Sequence, residues 1–293
     1  MAEVAAVIPA PFAHGELAWA KRRAVARDLA QARYEQAIVL PNSVKSALVP
    51  WLAGIPRRTG YLGEHRYGLL NDRRKLDTVR HPRLVERFAA LAFPNVAALP
   101  QVLPNPALRV DAANQRAALS KLGLDASRPV TALCPGAEYG PAKRWPASYY
   151  AEIAQRRLAE GGAVWIFGSP KDAPIGDDIA QRAPGAVNLC GRTTLPEAID
   201  LLALCRAVVT NDSGLMHVAA AVGSPLIALF GSSTPDYTPP LSATARVLTL
   251  RLECSPCFQR TCPLGHMNCL NQLKPAIVED TIAGLSPPAP DPR

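Results

Sequence analysis

The sequence predicts an α/β protein of two domains, the C-terminal one a doubly wound parallel sheet, and three observations carry that prediction. From Val130 onward, short apolar runs alternate with helical patterns, the signature of parallel strands joined by crossover helices. The stretch Ala207–Ser233 (AVVTNDSGLMHVAAAVGSPLIALFGSS) holds one complete unit. In it an apolar run, an Asn-Asp-Ser-Gly turn, a helical pattern stopped at Gly223 and a second apolar run follow in order. Finally, 293 residues with 48% apolar content can bury one large core or two modest ones, and length favours two domains.

The N-terminal elements come first. Lys21–Arg33 has helical character, and Gln36–Leu40 reads as a short buried strand stopped by Pro41-Asn42. Ser43–Leu52 reads as a helix ended by Gly54 and Pro56, and Thr59–Tyr61 opens another extended piece. Arg83–Ala92 is a helix closed by Pro94, and the prolines at 94, 100, 104 and 106 mark a connection. Beyond it, Val130–Leu133 is a strand, Cys134–Pro146 a loop, and Ala147–Glu160 a helix with Gly161-Gly162 as its stop. Ala163–Phe167 is the next strand, and Gly168–Asp172 leads into a helix. A short strand around Val187–Leu189 then precedes helix Leu195–Cys205 and the Ala207–Phe230 unit. The expected domains are residues 1–126, residues 127–275, and 276–293 as a last helix with a disordered tail, Ser286–Arg293.

The charge is uneven. Residues 1–90 hold 15 Lys/Arg against 8 Asp/Glu, whereas residues 91–293 hold 17 against 16. A basic domain beside a near-neutral one fits an acidic partner on one side only, or simply a solvated surface. No apolar run reaches the roughly 18 residues of a membrane span. The first 20 residues lack the early positive charges of a signal peptide. These features lead us to expect a soluble protein of a reducing, cytoplasmic compartment without structural disulfides.

Three loops follow three strands and should converge on one crevice: Gly136–Lys143 (GAEYGPAK), Gly168–Asp172 (GSPKD) and Asn211–Met216 (NDSGLM). In a parallel sheet they lie beyond the carboxyl ends of the strands, where open α/β sheets bind ligands. The helix beginning near Ser213 would aim its free N–H groups and positive dipole end into that crevice, which suits phosphate. Gly214 lets a pyrophosphate approach the backbone closely. Lys143 offers a cation for phosphate and Asp172 a carboxylate for ribose hydroxyls. The plain alternative is an ordinary capped helix. Neither G-x-G-x-x-G nor a P-loop is present.

CPGAEYGPAKRWP (Cys134–Pro146), FGSPKD (Phe167–Asp172) and NDSGLMHVAAAVGSPLIALFGSSTPDYTPP (Asn211–Pro240) closely resemble the lipopolysaccharide heptosyltransferase II family. LPNSVKSALVPWLAGIPRRTGYLGEHRYGLLND (Leu40–Asp72) resembles its acceptor half, and the likeness runs over roughly residues 4–285. It implies the GT-B fold, two Rossmann-like domains facing a cleft. It also implies an inverting transfer of L-glycero-D-manno-heptose from ADP-heptose to the first heptose of the lipopolysaccharide inner core, with no metal or other cofactor. On this resemblance the donor is held by Gly136, Lys143, Asp172, Asp212, Ser213, Gly214, Leu215 and His217. Lys143 contacts phosphate, Asp212 accepts from heptose hydroxyls, and Ser213 and Gly214 offer N–H groups. His217 is either a phosphate contact or a packed, capping histidine, and Met216 packs.

The same resemblance gives Lys45, Arg57, Arg58 and Arg66 an acceptor to hold, the carboxylates and phosphates of heptosyl-Kdo2-lipid A. The remaining basic charge would meet the anionic inner leaflet, with the protein peripheral there. Nucleic acid is not expected, because the near-neutral part carries the cysteines. One departure stands out. The family opens with a strand and a glycine-rich turn whose aspartate serves as general base. This sequence aligns from about fifty residues later, with Met1–Ile8 in the third strand region, so the N-terminal domain reads as truncated. Asp28, Glu64 and Asp72 are the nearest acids by region, and none is assigned as the base. The alternative reading is therefore a catalytically impaired nucleotide-sugar-binding fragment. Cys254, Cys257, Cys262 and Cys269, with His266 between, leave three readings open: a structural zinc site, packed thiols or a redox pair. Cys134, Cys190 and Cys205 read as core residues.

Overall fold

Strand pairing decides where a parallel-sheet protein can hold a ligand. In the structure, a computed structural model, residues 4–13, 15–94 and 99–285 are described. The chain divides into two compact units. One runs to Leu103 and includes Asp236–Thr238; the other comprises Pro104–Pro235 and the chain from Pro239.

The N-terminal unit contains α1 (Trp19–Gln31), β1 (Gln36–Val39), α2 (Val44–Leu52), β2 (Arg57–Tyr61), β3 (Asp72–Arg74) and α3 (Leu84–Ala90). Its strands pair in parallel in the order β1-β2-β3, with Gln36 opposite Arg57 and Thr59 opposite Asp72. Ser43 caps α2 by accepting from the Ser46 N–H, and Gly54 turns away at φ 67° where the sequence predicts the stop. The core here is small, centred on Val39, Ala47 and Leu70. Nothing in Asp72-Arg73-Arg74 signals a strand. It forms because it pairs with β2 and because Asp72 accepts bonds from Arg57, Arg74 and Thr59. Residues 4–8, aligned with a strand region, carry no regular structure.

The C-terminal unit contains α4 (Ala112–Leu122), β4 (Val130–Cys134), α5 (Ala147–Ala159), β5 (Ala163–Ile166), α6 (Ala173–Arg182), β6 (Val187–Asn188), α7 (Leu195–Leu202), β7 (Ala207–Asn211), α8 (Gly214–Ala221), β8 (Leu226–Leu229), β9 (Ala245–Leu248), α9 (Asn268–Asn271) and α10 (Pro275–Ala283). Its sheet is fully parallel, in the order β6-β5-β4-β7-β8-β9. β4, β5, β7 and β8 are buried throughout, so they read as continuous apolar runs rather than as alternating ones. One face packs Trp165, Phe167, Met216 and Phe230 with α7 and α8, and the other packs Trp145, Tyr150, Ile153 and Ile179 with α5, α6 and α10. Trp145 and Trp165 are almost wholly buried; truncating either to Ala would cost about 3–5 kcal/mol.

Two boundaries differ from expectation. The division falls after Leu103 rather than at residue 126, because α4 belongs to the C-terminal unit. Asp111 caps α4, while Asp200 of α7 accepts the Asp111 N–H at 2.9 Å and the Asn114 amide. Residues 276–285 are no appendage either. Val278 is fully buried, and Glu279 meets Arg157 at 2.5 Å. The expected tail, Ser286–Arg293, lies outside the described residues. No helix among the described residues is long and apolar enough to cross a membrane.

Candidate functional site

Leaving β4 the chain runs outward to β5 and β6, then returns to β7 on the other side. Loops on either side of such a switch point diverge and leave a crevice at the carboxyl end of the sheet. A cavity of about 500 Å³ lies there, lined by the loops after β4, β5, β6 and β7. That size suits a nucleotide-scale ligand.

A buried side chain builds the scaffold. Asn211, at the end of β7, accepts from the Trp145 N–H and the Tyr150 hydroxyl, each at 3.0 Å, and donates to the Pro135 carbonyl at 2.7 Å. It ties β7 to both ends of the β4 loop. Next to it, Ser213 is the N-cap residue of α8 in extended conformation, with φ −147° and ψ 173°. Its side chain makes no capping bond and instead lies 3.3 Å from the Thr210 hydroxyl. The amides of the first turn therefore lack a side-chain acceptor, and Ser213, Gly214, Leu215 and Val218 line the cavity. A Cβ added at Gly214 would meet nothing within 4 Å, so the space in front of that backbone is open.

Gly136 and Asp172 also line the cavity. Asp172 Oδ2 accepts from the Ser169 N–H at 2.9 Å and from the Ser169 hydroxyl at 2.7 Å, closing the turn after β5. Arg144 stands 3.8 Å from Oδ1. One oxygen of this carboxylate is thus committed to its own loop, and Oδ1 is left for Arg144 and the cavity. A Cβ at Gly136 would lie 2.5 Å from Asp172 Oδ2, so the glycine is there to admit the carboxylate.

Lys143, Asp212 and His217 stand beside the cavity rather than in its lining. Asp212, 7% exposed, accepts from Lys143 Nζ at 2.5 Å and from the Ser233 hydroxyl at 2.6 Å. The Lys143 ammonium also lies 5.1 Å from the Tyr139 ring centroid. His217 keeps one side open to solvent, yet crowding by protein atoms lowers its pKa. Asp212 pulls that value up and Lys143 pushes it down, and the neutral imidazole is favoured. Met216 is fully buried, as packing predicts.

Sequence reasoning missed Thr193, Thr194 and Phe167, which also line the cavity. The signal for the two threonines was present. Thr194 caps α7 in a Thr-x-x-Glu box with Glu197, directly after the short strand β6.

The expected acceptor residues are less free than the sequence suggests. Arg66 is a core residue, 1% exposed, whose guanidinium donates to the Pro41 and Tyr61 carbonyls. That burial corrects its assignment to an acceptor. Arg58 donates to the carbonyls of Leu69 at 2.7 Å and Ile55 at 2.6 Å, and Lys45 to that of Gly15. Arg57, half exposed, pairs with Asp72 at 3.0 Å. Burial pushes Asp72 up, but its bonds from Arg74, Thr59 and Arg57 outweigh this and hold it below the usual carboxylate range. Such an acid is a poor proton acceptor. Glu64 accepts from the Val44 N–H at 2.8 Å, and Asp28 is exposed on α1.

Cys254, Cys257, Cys262 and Cys269 are free thiols around one small cavity that His266 also lines. Among the described residues, no three metal-binding side chains are arranged to hold a metal ion. Backbone N–H groups, that of Met267 foremost, lower the Cys262 pKa, while burial and the other three thiols raise that of Cys269. Cys134, Cys190 and Cys205 are buried, as expected.

Comparison with known proteins places this geometry among relatives. Residues 22–268 match the pattern of glycosyltransferase family 9 (heptosyltransferase). The chain is 49% identical over 260 residues to lipopolysaccharide heptosyltransferase 2 of Escherichia coli strain K12, covering 85% of this chain and 75% of that one. It is 47% identical over 264 residues to lipooligosaccharide heptosyltransferase 2 of Haemophilus influenzae, with the same coverage. The solved structure of an E. coli ADP-heptose lipopolysaccharide heptosyltransferase II superimposes with a TM-score of 0.81 at 45% identity, over 90% of this chain and 80% of that one.

Proposed function

The chain belongs to glycosyltransferase family 9, the heptosyltransferases, and from that membership we propose that it moves L-glycero-D-manno-heptose from ADP-heptose to the first heptose of the lipopolysaccharide inner core, with inversion. The observation that carries the donor half is the cavity at the switch point, into which the uncapped first turn of α8 opens. Adenosine would occupy the cavity and the diphosphate would meet the amides of Ser213, Gly214 and Leu215. Asp212, gripped by Lys143 and Ser233, would present its remaining lone pairs to the sugar hydroxyls.

Each residue then has a step. As the acceptor hydroxyl oxygen bonds to the anomeric carbon and yields its proton to a base that none of these residues supplies, the bond from that carbon to the diphosphate breaks and negative charge gathers on the departing ADP. The first turn of α8 opens onto the cavity and Lys143 stands beside it, so both would stabilise that charge as it forms. The neutral His217 contributes a hydrogen-bonding group without repelling the cations beside it. Arg57 and the other exposed cations of the N-terminal unit would receive the acidic acceptor and the anionic inner-leaflet surface, with the protein at the cytoplasmic side.

The test is a transfer assay on the whole chain with ADP-heptose and heptosyl-Kdo2-lipid A, following ADP release and the mass of the lipid product. Gain of one heptose on the lipid supports the reading. Binding of ADP-heptose without any transfer would refute the catalytic half while leaving the donor site standing.

A further inference from the structure

Four cations gather on the loops above the donor cavity, and three already face a carboxylate. Lys143 meets Asp212 at 2.5 Å, Lys171 meets Glu138 at 2.8 Å, and Arg144 stands 3.8 Å from Asp172. The fourth is Arg260. Its guanidinium lies 5.2 Å from the centroid of the Tyr139 ring, the ring that also carries Lys143. It forms no salt bridge among the described residues, and the one acid that feels its charge, Glu138, is already paired with Lys171, so the four cations stand against three carboxylates.

The backbone beneath Arg260 is fixed to the site. Its carbonyl accepts from the Ala142 N–H at 3.0 Å, one residue before Lys143. Gly140 lies so close that an added Cβ would come within 2.5 Å of the Arg260 carbonyl oxygen. Two residues earlier, the Phe258 carbonyl accepts from the Tyr139 hydroxyl at 2.7 Å, and the Phe258 N–H donates to the Ser232 carbonyl at 2.7 Å. Ser232 immediately precedes Ser233, the partner of Asp212. The segment is thus fastened to the loop that carries Lys143 and to the loop that grips Asp212, while the guanidinium itself is left exposed.

The charge balance of the site gives that guanidinium a task. Lys143 and Asp212 cancel, and the helix end supplies only about half a unit of positive charge. A diphosphate ester brings roughly two negative charges, so the set described so far leaves it under-compensated. We propose that Arg260 contacts the diphosphate of the nucleotide sugar, supplying the uncompensated cation at the mouth of the donor site. Its planar fork matches two phosphate oxygens, and the Tyr139 face holds it near them before the ligand arrives. The inference rests on the donor reading above.

Calorimetric titration of the whole chain with ADP and with adenosine separates the two. The expected result is that Arg260→Ala weakens ADP about five- to tenfold, a charge-assisted contact reduced by the exposure of the guanidinium to solvent and salt, and leaves adenosine within about twofold. Arg260→Lys, which keeps charge but loses the fork, falls between parent and alanine variant. If Arg260→Ala binds ADP like the parent, or loses adenosine to the same degree as ADP, the assignment of Arg260 is overturned and the donor reading survives. If the parent itself does not bind ADP, the donor reading fails and this inference fails with it.

Discussion

Removing the Lys143 ammonium should damage the donor site in two separable ways. Lys143→Ala deletes a charge-assisted contact to phosphate, worth about 1.5–3 kcal/mol. It also leaves Asp212, 7% exposed, with the Ser233 hydroxyl as its remaining side-chain hydrogen-bond donor among the described residues and a neutral His217 nearby. The freed carboxylate then repels the diphosphate. Two like charges about 6 Å apart at an effective dielectric near 20 interact by roughly 2–3 kcal/mol. Together these predict a loss of about 3.5–6 kcal/mol, from a few hundredfold to roughly ten-thousandfold or more in affinity for ADP, which lacks the heptose that Asp212 would hold. The double variant Lys143→Ala/Asp212→Asn removes the repulsion and should recover about tenfold or more of that loss. Calorimetry on parent, single and double variants measures each contribution. The reasoning is refuted if the double variant binds no better than Lys143→Ala alone, because the liberated carboxylate would then not be what weakens the site.

Three further outcomes follow from the geometry. Asn211→Ala strands the Trp145 N–H and the Pro135 carbonyl in the core and leaves the Tyr150 hydroxyl only its longer bond to the Cys134 carbonyl, and should lower stability by about 2–4 kcal/mol in denaturant titration; an unchanged midpoint would show that the tie is dispensable. With its pKa lowered by amide N–H groups, Cys262 carries more thiolate at neutral pH than Cys269, whose value is raised, so iodoacetamide should label Cys262 first. Cys134, pushed up by burial, should stay unlabelled until the chain unfolds, and equal labelling of all three would contradict that order. Because the charge of the leaving group is met by side chains and a helix end, heptose transfer should persist in excess EDTA, measured as initial rate; a loss restored by a divalent ion would overturn the metal-free reading.

The inner strands of the C-terminal sheet, β4, β5, β7 and β8, are legible because they are buried on both faces and punctuated by glycine or proline, whereas the half-exposed edge strand β9 gives no such signal. Ala207–Ser233 alone located β7, α8 and β8 nearly to the residue. The helix α4 went unassigned although Asp111 and Gly123 bracket it, because the nearby prolines drew attention to a connection. β3 offered no apolar residue and exists only through its neighbours. Within the site, the glycine-led turns were visible, but pairing partners were not. Spacing cannot say that Asp172 serves Ser169, that Asp212 serves Lys143, or that Arg66 is spent on main-chain carbonyls. Arginines near predicted turns look alike in one dimension, and only burial distinguishes a structural rivet from a free hand.

The polarity of the parallel sheet has a practical corollary. Every segment that frames the cavity departs from the same rim of the barrel-less sheet, while Pro129, Gly162 and Arg206 sit at the opposite rim. The chemistry is thereby confined to one pole of the unit. A reporter dye or immobilisation handle at an exposed position of the other pole, such as Arg206, would stand on the far side of the sheet from nucleotide recognition.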